Sequence, residues 1–490
     1  MYSLLICLAA LIVGYLIYGK FIEKVYGIKP ARPTPAIAKA DGVDFVAMPA
    51  WKVYMIQFLN IAGTGPIFGA IMGAKFGPSS YIWIVFGCIF AGAVHDFLCG
   101  MFSIRHDGTG LPEIVGYYLG KGARKAMLVI SLILLLLVGV VFVYSPALIL
   151  GDVVGFMGTD EKSVMMWVAI IFLYYLLATM LPIDKLIGKI YPLFAFSLLF
   201  MAVGLCVCLL VKWPSIPEIW DGLHNMNEQA GMTKQPIFPY LFLTITCGAI
   251  SGFHSTQSPL MARCVTNEKL GRPIFYGAMI TEGIVALVWA AVSSYFFFDG
   301  GMAEVGATSG QAPEVVTSVA KSWLGTIGGI LAILGVVAAP ITSGDTVFRS
   351  ARLMIADFFH IDQKPYAKRF LITVPLFAAA SLLLWFNISD EDGFNVIWRY
   401  FGCTNQVLAA MTLWAAVGYF TREKKGLSFL LVLIPAVFIN SVIVTYICID
   451  PIGFNMPDYL LPWIAAVTAI TSLAAYFTVR LTRNKRKSAD

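Results

Sequence analysis

Charge is what this sequence has least of. Asp, Glu, Lys and Arg make up only 13% of its residues, against roughly a quarter in a soluble globular domain. It has no C-x-x-C pair, so its nine cysteines suggest neither a dithiol redox centre nor a zinc ribbon. Most of them, including Cys7, Cys88, Cys206 and Cys208, fall in apolar stretches and read as small buried side chains. It has no G-x-x-x-x-G-K-[ST] loop, which argues against ATP-driven transport by this chain. No nucleophile-and-base set is recognisable, so an enzyme is not expected. Neither a linker nor a low-complexity tract divides it. The basic residues that give a net charge of +6 are scattered between apolar segments, so no nucleic-acid partner is expected.

What fills the sequence instead is apolar. Hydrophobic residues make up 59% of it and the mean hydropathy is +0.80, values that belong to a polytopic membrane protein. Thirteen windows are long enough to span a bilayer, at about 20 residues each. They lie near 2–19, 51–74, 80–103, 126–150, 163–181, 188–211, 237–258, 274–298, 323–348, 370–388, 395–420, 427–449 and 459–480. The expected fold class is therefore all-α, with about 13 transmembrane helices. No Lys or Arg precedes the first window and four follow it at Lys20, Lys24, Lys29 and Arg32, so it reads as a retained helix rather than a signal peptide.

An odd number of spans puts the termini on opposite sides. With the N-terminus outside and the C-terminus cytoplasmic, the inner connections hold 28 of the 34 basic residues, as the positive-inside rule requires. The outer loops, such as 299–314 and 390–392, lean acidic. The basic tail beginning at Arg480 reads as an orientation signal lying against anionic membrane lipid.

Two windows are interrupted where a membrane helix should be most regular. The first carries I-A-G-T-G-P at 61–66 and the second C-G-A-I-S-G-F-H-S-T-Q-S-P at 247–259. Freed backbone groups are tolerated at membrane depth only inside protein or beside a water-filled cavity. Span two runs inside to outside, and span seven, five spans later, runs outside to inside. That is the arithmetic of a five-plus-five inverted repeat, with repeat one at 51–211 and repeat two at 237–420. Residues 1–50 then form a first helix and inner loop, and 421–490 two accessory helices and the tail.

At the first break, carbonyls of Ala62 and Gly63 can face a cation, and the half-helix N-terminus near Gly63, Thr64 and Gly65 can face an anionic substrate. The alternative is a small-residue face for close helix packing. At the second break Ser251, Gly252, His254, Ser255 and Gln257 are too polar for lipid; they line a cavity or pack on the partner repeat. His254 can bind a carboxylate, carry a proton, or donate to a nearby carbonyl as a neutral ring. His95 and Asp96 are candidates for a polar or proton relay, with Asp96 alternatively paired to Arg105 or Arg349. Together with Cys99 they make only a weak metal set. In the ninth window Thr342, Ser343, Asp345 and Thr346 supply oxygens beside Pro340, an ion site unless Pro340 merely kinks the helix. Glu282, Asn405 and Gln406 read as inter-helix hydrogen-bonding groups.

The stretches D-G-V-D-F-V at 41–46, I-A-G-T-G-P-I-F-G at 61–69, A-G-A-V-H-D-F at 91–97, G-A-I-S-G-F-H at 248–254 and F-G-C-T-N-Q-V-L-A at 401–409 resemble the carbon starvation protein A (CstA) family. The chain departs from it in being shorter than the enteric members and in carrying His95 where the family often has Gln. The resemblance implies a secondary transporter in the bacterial inner membrane that takes up peptides, or small carboxylates such as pyruvate, under carbon starvation. It also implies a fold similar to LeuT-type inverted-repeat transporters. That fold's cation site, between the first and eighth core helices, falls on Ala62, Gly63, Thr342 and Ser343. No cofactor is implied beyond a coupling sodium ion or proton, and the resemblance leaves the oligomeric state open. The alternative class is a channel or a metabolite sensor that accumulates nothing.

Overall fold

The computed structural model describes residues 1–42, 44–153, 161–180, 183–305, 310–363, 365–390, 393–423 and 426–487. Val43, residues 306–309 of the acidic loop, Glu391, Asp392 and the last three residues of the tail lie outside the described residues. Among the described residues every regular element is helical, as long apolar windows require: in hydrocarbon a helix satisfies its own backbone groups.

In chain order the α-helices are α1 (Tyr2–Leu16), α2 (Tyr18–Tyr26), α3 (Pro35–Ala38), α4 (Ala50–Ile61), α5 (Gly65–Ala74), α6 (Ser79–Phe86), α7 (Ala93–Arg105), α8 (Leu111–Leu119), α9 (Lys121–Val153) and α10 (Glu161–Met180). They continue with α11 (Ile183–Lys212), α12 (Ile237–Thr244), α13 (His254–Ala262), α14 (Gly277–Phe298), α15 (Gly301–Glu304), α16 (Ala312–Phe359), α17 (Tyr366–Ser389), α18 (Gly393–Glu423), α19 (Leu430–Ile449) and α20 (Leu461–Lys487). Nine helical segments among the described residues are long and apolar enough to cross a membrane, or ten with α4 and α5 counted as one bent span. The chain is thus a multi-pass helical membrane protein. Its outer helices present apolar side chains outward, with Leu382 and Trp385 on α17 each 69% exposed.

Both sequence-flagged interruptions are breaks. α4 stops because Ala62 leaves the helical region (φ −84°, ψ 56°), and α5 restarts at Gly65 with Pro66 in its first turn, where a missing N–H costs nothing. The two halves meet at 48°. The second break is longer: α12 ends at Thr244, Ile245 turns away (φ −99°, ψ 81°), and α13 begins at His254. Within it Gly248 takes φ 89°, a region that favours glycine, and a Cβ there would run into Ala286 of α14.

Two π-helical turns stand beside these breaks, Gly87–Gly92 leading into α7 and Arg272–Tyr276 leading into α14. The packing recurs in pairs. α5 lies on α14 and α13 on α7; α11 lies on α16 and α18 on α9; α10 lies on α16 and α17 on α9, while α9 and α16 lie against each other.

Candidate functional site

The two breaks touch. A Cβ on Gly65 would collide with the Cys247 side chain, and one on Gly69 would stand 2.8 Å from the Thr244 carbonyl oxygen. Gly248 in turn lies against Pro66. The small residues at 61–69 therefore do serve close approach, and what they approach is the other break. Small-residue packing and helix unwinding, alternatives in the sequence, coexist in the structure.

Around this contact the polar side chains of four helices converge. Ser343 Oγ on α16 donates to the Leu59 carbonyl at 2.8 Å, and Thr346 Oγ1 lies 3.5 Å from Asn60 Oδ1, tying α16 to the end of α4. Gln57 Nε2 on α4 donates to Ser258 Oγ on α13 at 3.3 Å, and Ser350 Oγ on α16 donates to the Thr256 carbonyl at 3.3 Å. Asn405 Oδ1 on α18 accepts from the Phe253 N–H at 2.6 Å and from Ser251 Oγ at 3.2 Å, clamping the unwound segment. Gln406 Nε2 donates to the Phe242 carbonyl at 2.8 Å. Both α18 amides thus bond between elements, the role their sequence positions suggest.

Gly63, Thr64, Gly65, Ser251, Gly252, His254, Ser255 and Gln257 are all buried. Several side chains are used locally. Ser255 Oγ donates to the Gly252 carbonyl, Thr256 Oγ1 to the Phe253 carbonyl, and Gln257 Nε2 to Thr256 Oγ1. Thr64 Oγ1, Gln257 Oε1 and His254 Nε2 are buried with no hydrogen-bond partner. Their concentration here singles out the breaks as the polar heart of the molecule.

Of the ion-site residues, Ser343 reaches the first break, one turn before Ala62 and Gly63. Thr342 turns its hydroxyl back to the Ala338 and Ala339 carbonyls, the local bonding that a kinked helix invites. Asp345 faces Arg349 one turn along α16 at 3.6 Å.

The pairing expected for Asp96 is corrected. Arg105 binds Glu268 at 3.1 Å and Arg349 binds Asp345, so neither meets Asp96. Asp96 instead accepts two imidazoles: His95 Nδ1 lies 2.8 Å from Oδ1 and His254 Nδ1 lies 2.8 Å from Oδ2. The far nitrogen of His254, Nε2, stands 3.4 Å from Glu282 Oε2 on α14. Glu282, read from sequence as a hydrogen-bonding group, has no hydrogen-bond partner on either oxygen. Sequence reasoning missed its connection because α13 and α14 come together only through the break. The signal was present all the same, as a single carboxylate in an otherwise apolar window.

The metal alternative built on His95, Asp96 and Cys99 has no support in this geometry, because both Asp96 oxygens are turned onto imidazoles. Among the described residues Cys247, His254 and Glu282 bring one donor atom each within 4.8 Å of one another. A shared zinc-like ion holds its donors at about 2.0–2.3 Å and most often uses four. These three fall one donor short of that set, and His254 already spends its other ring nitrogen on Asp96.

At the end of α13 a cavity of about 1000 Å³ opens among Lys39, Asp44, Asp107, Glu113, Asp357 and Arg369. Arg263, which follows α13, reaches across it to Asp357 at 3.3 Å and to the Gly108 carbonyl at 2.8 Å. Burial pushes the Asp357 carboxyl up from its ordinary value, against the pull of Arg263.

Comparison with known proteins supplies the context for this geometry. The model of the family described as Carbon starvation protein CstA matches residues 1–152, 139–327 and 317–447. The chain is 49% identical over 333 residues to a membrane protein of Haemophilus influenzae, covering 59% of this chain and 90% of that one. It is 26% identical over 521 residues to the peptide transporter CstA of Escherichia coli, covering 82% and 74%. With the pyruvate/proton symporter BtsT of the same organism it shares 27% identity over 345 residues, covering 58% and 47%. Its fold is that of a Na+-coupled sialic acid symporter (TM-score 0.55, 15% identity, 96% and 95% covered) and of a manganese transporter from Eremococcus coleocola (TM-score 0.55, 12% identity, 91% and 99% covered). The proteins named here by function are transporters, in agreement with the expectation that the chain is no enzyme. By the extent of the family match, the chain belongs to the carbon starvation protein CstA family.

Proposed function

We propose that this protein is a secondary active transporter of the bacterial inner membrane that takes up a peptide or a small carboxylate such as pyruvate, driven by a proton or sodium gradient. The observation that carries the reading is the contact between two broken helices, Gly65 against Cys247 and Gly248 against Pro66, inside a buried polar core. A break in the backbone at membrane depth is a binding device, since it releases donors and acceptors where no water competes. The names of its relatives, a peptide transporter and a pyruvate/proton symporter, supply the substrate classes.

Thirteen spans with a LeuT-like five-plus-five inverted core at 51–420 are part of the same proposal. The paired packing supports it: three contacts of repeat one, α5 on α14, α11 on α16 and α10 on α16, have counterparts in α13 on α7, α18 on α9 and α17 on α9. Alternating access is then a rocking of one group of helices against the other. The N-terminus outside and C-terminus cytoplasmic follow from the distribution of Lys and Arg, and the cavity beside Arg263 faces the cytoplasm in this orientation. Substrate lies at Gly63, Thr64, Gly65, Ser251, Gly252, His254, Ser255 and Gln257. A sodium ion, if one is used, lies at Ala62, Gly63, Thr342, Ser343 and Asp345.

The test is uptake by the purified chain in proteoliposomes. Labelled pyruvate and a labelled dipeptide are offered under an imposed proton gradient, a sodium gradient, or neither. Accumulation above the external concentration that collapses with the gradient supports the transporter. Equilibration without accumulation replaces it with a channel, and binding without entry replaces it with a sensor. The sodium placement has its own check: Thr342→Ala combined with Ser343→Ala weakens sodium-stimulated uptake, and unchanged sodium dependence removes the site from α16.

A further inference from the structure

Four ionisable side chains form one line across the seam between the breaks. His95 and Asp96 belong to α7, His254 opens α13 and Glu282 lies on α14, and none is more than 1% exposed. The links run His95 Nδ1 to Asp96 Oδ1 at 2.8 Å, Asp96 Oδ2 to His254 Nδ1 at 2.8 Å, and His254 Nε2 to Glu282 Oε2 at 3.4 Å. The arginines nearest in the fold are bound elsewhere: Arg105 to Glu268, Arg263 to Asp357, Arg272 to Glu23 and Arg349 to Asp345. Among the described residues three thiols stand around the line, and Tyr54 bonds Thr281, the neighbour of Glu282, at 2.6 Å. Cys99 Sγ lies 3.8 Å from both His95 nitrogens, Cys88 Sγ donates to the Met279 carbonyl, and Cys247 stands beside His254 and Glu282.

Two carboxylates held this deep cannot both stay ionised on the strength of one shared imidazole. Asp96 is well provided, with an imidazole on each oxygen. Glu282 is less well provided: it meets His254 Nε2 only at 3.4 Å, against the 2.8 Å contacts that hold each Asp96 oxygen. With Asp96 fixing the His254 proton on Nδ1, Nε2 presents a lone pair to a carboxylate, an arrangement that repels as it stands. One proton placed between Glu282 Oε2 and His254 Nε2 relieves this repulsion, and on Glu282 it makes an O–H that donates to Nε2.

The position of Glu282 gives that proton consequences. Gly248 of the second break is wedged between Pro66 of the first break and Ala286, one turn beyond Glu282 on α14. His254 is the first helical residue after the same break. Any movement of α13 against α7 and α14 therefore separates Glu282, His254 and Asp96, and the loaded line favours the arrangement seen here. A ligand that binds one arrangement better than another shifts their populations, which is the thermodynamic content of coupling.

We propose that the coupling ion is a proton and that Glu282 is its binding residue, held and read by His254 and Asp96. The proposal rests on the transporter reading above. In the loaded state Asp96 is a carboxylate, His254 is neutral with its proton on Nδ1, and Glu282 is a carboxylic acid donating to Nε2. On release the Glu282 proton passes to water once the helices part, and no other bond changes.

The experiment has two arms, so that failure of this assignment and failure of the transporter reading are told apart. In the first, infrared difference spectra of the purified chain are recorded across a pH titration, with no substrate present. A carboxylic-acid carbonyl band that disappears as pH rises in the wild type, and is missing from a folded Glu282→Gln variant, supports the assignment. A band that persists in Glu282→Gln, or one that fails to titrate while the protein stays folded, overturns it. In the second arm, labelled pyruvate is given to proteoliposomes under an inward proton gradient. Glu282→Gln, a fixed mimic of the loaded state, loses gradient-driven accumulation yet exchanges internal for external pyruvate, and Glu282→Asp recovers part of the accumulation. Accumulation by Glu282→Gln equal to wild type overturns the assignment. A wild type that neither accumulates nor exchanges pyruvate or dipeptide counts against the transporter reading, and the infrared arm still decides the proton site. Stoichiometric transition metal in the purified wild type, lost in Glu282→Gln, overturns the assignment in favour of a metal centre.

Discussion

The first and second breaks lie against each other and differ in almost everything that chemistry depends on. The first is three residues long, between Ile61 and Gly65, and its only hydroxyl is that of Thr64. The second runs from Ile245 to Phe253, carries Ser251 and Cys247, and opens directly onto His254. One offers mainly backbone; the other offers side chains that titrate, clamp and donate. Backbone carbonyls suit a hard cation or an oriented substrate, whereas an imidazole between two carboxylates suits a proton.

That contrast predicts unequal responses to mutation, each measurable as thermal unfolding of the purified protein in detergent. His254→Ala has the largest effect, because it takes the shared ring from Asp96 Oδ2 and from the Glu282 carboxyl together; about 1–3 kcal/mol is expected for each of the two buried groups left unsatisfied. A variant as stable as wild type would mean the line of charges is not built as described. Next comes Gly252→Ala. Its new Cβ would collide with the Asn405 carbonyl and the Ala409 nitrogen, which are backbone atoms of α18 with little room to yield, so about 1–3 kcal/mol is expected. The corresponding change at the first break, Gly63→Ala, meets only the tip of the Phe142 ring at 2.5 Å and should cost less. If Gly63→Ala is the more damaging of the two, the first break is the tighter one and the comparison reverses.

Asn405→Ala comes third, since it leaves the buried Phe253 N–H and Ser251 hydroxyl without their acceptor, at about 1–2 kcal/mol. Smallest is Thr64→Val. It removes a hydroxyl that has no partner, so stability should stay within about 0.5 kcal/mol of wild type. A large loss there would reveal a bond that the first break relies on. A loss of uptake without loss of stability would place the Thr64 hydroxyl on the substrate.

The sequence carried much of this. Long apolar windows report helices because lipid leaves the backbone no other way to satisfy itself, and among the described residues nine or ten helical segments are long and apolar enough to span. I-A-G-T-G-P and C-G-A-I-S-G-F announce their breaks for the same reason, since glycine and proline at that depth demand a cause. Partnership was harder to read. Asp96 lies nine residues before Arg105, which made that pair attractive, yet Arg105 is engaged by Glu268 more than 160 positions away. Spacing along one helix predicts neighbours on that helix. It says nothing of which residues a second, unwound segment brings alongside. Glu282 was visible as an anomaly, but its contact with His254 depends on the path of residues 245–253, where no periodicity operates.

The π-turn at Gly87–Gly92 carries a consequence of another kind. Such a turn holds one residue more than a regular helix would, and one residue corresponds to about 100° of rotation about the axis. Everything downstream on α7 is rotated by that insertion, His95 and Asp96 included. A version of this helix lacking one residue in that turn would keep its length in the membrane almost unchanged while swinging Asp96 away from His254. The site can therefore be made or unmade by a single-codon insertion or deletion, and the history of α7 is open to being read from the length of one turn.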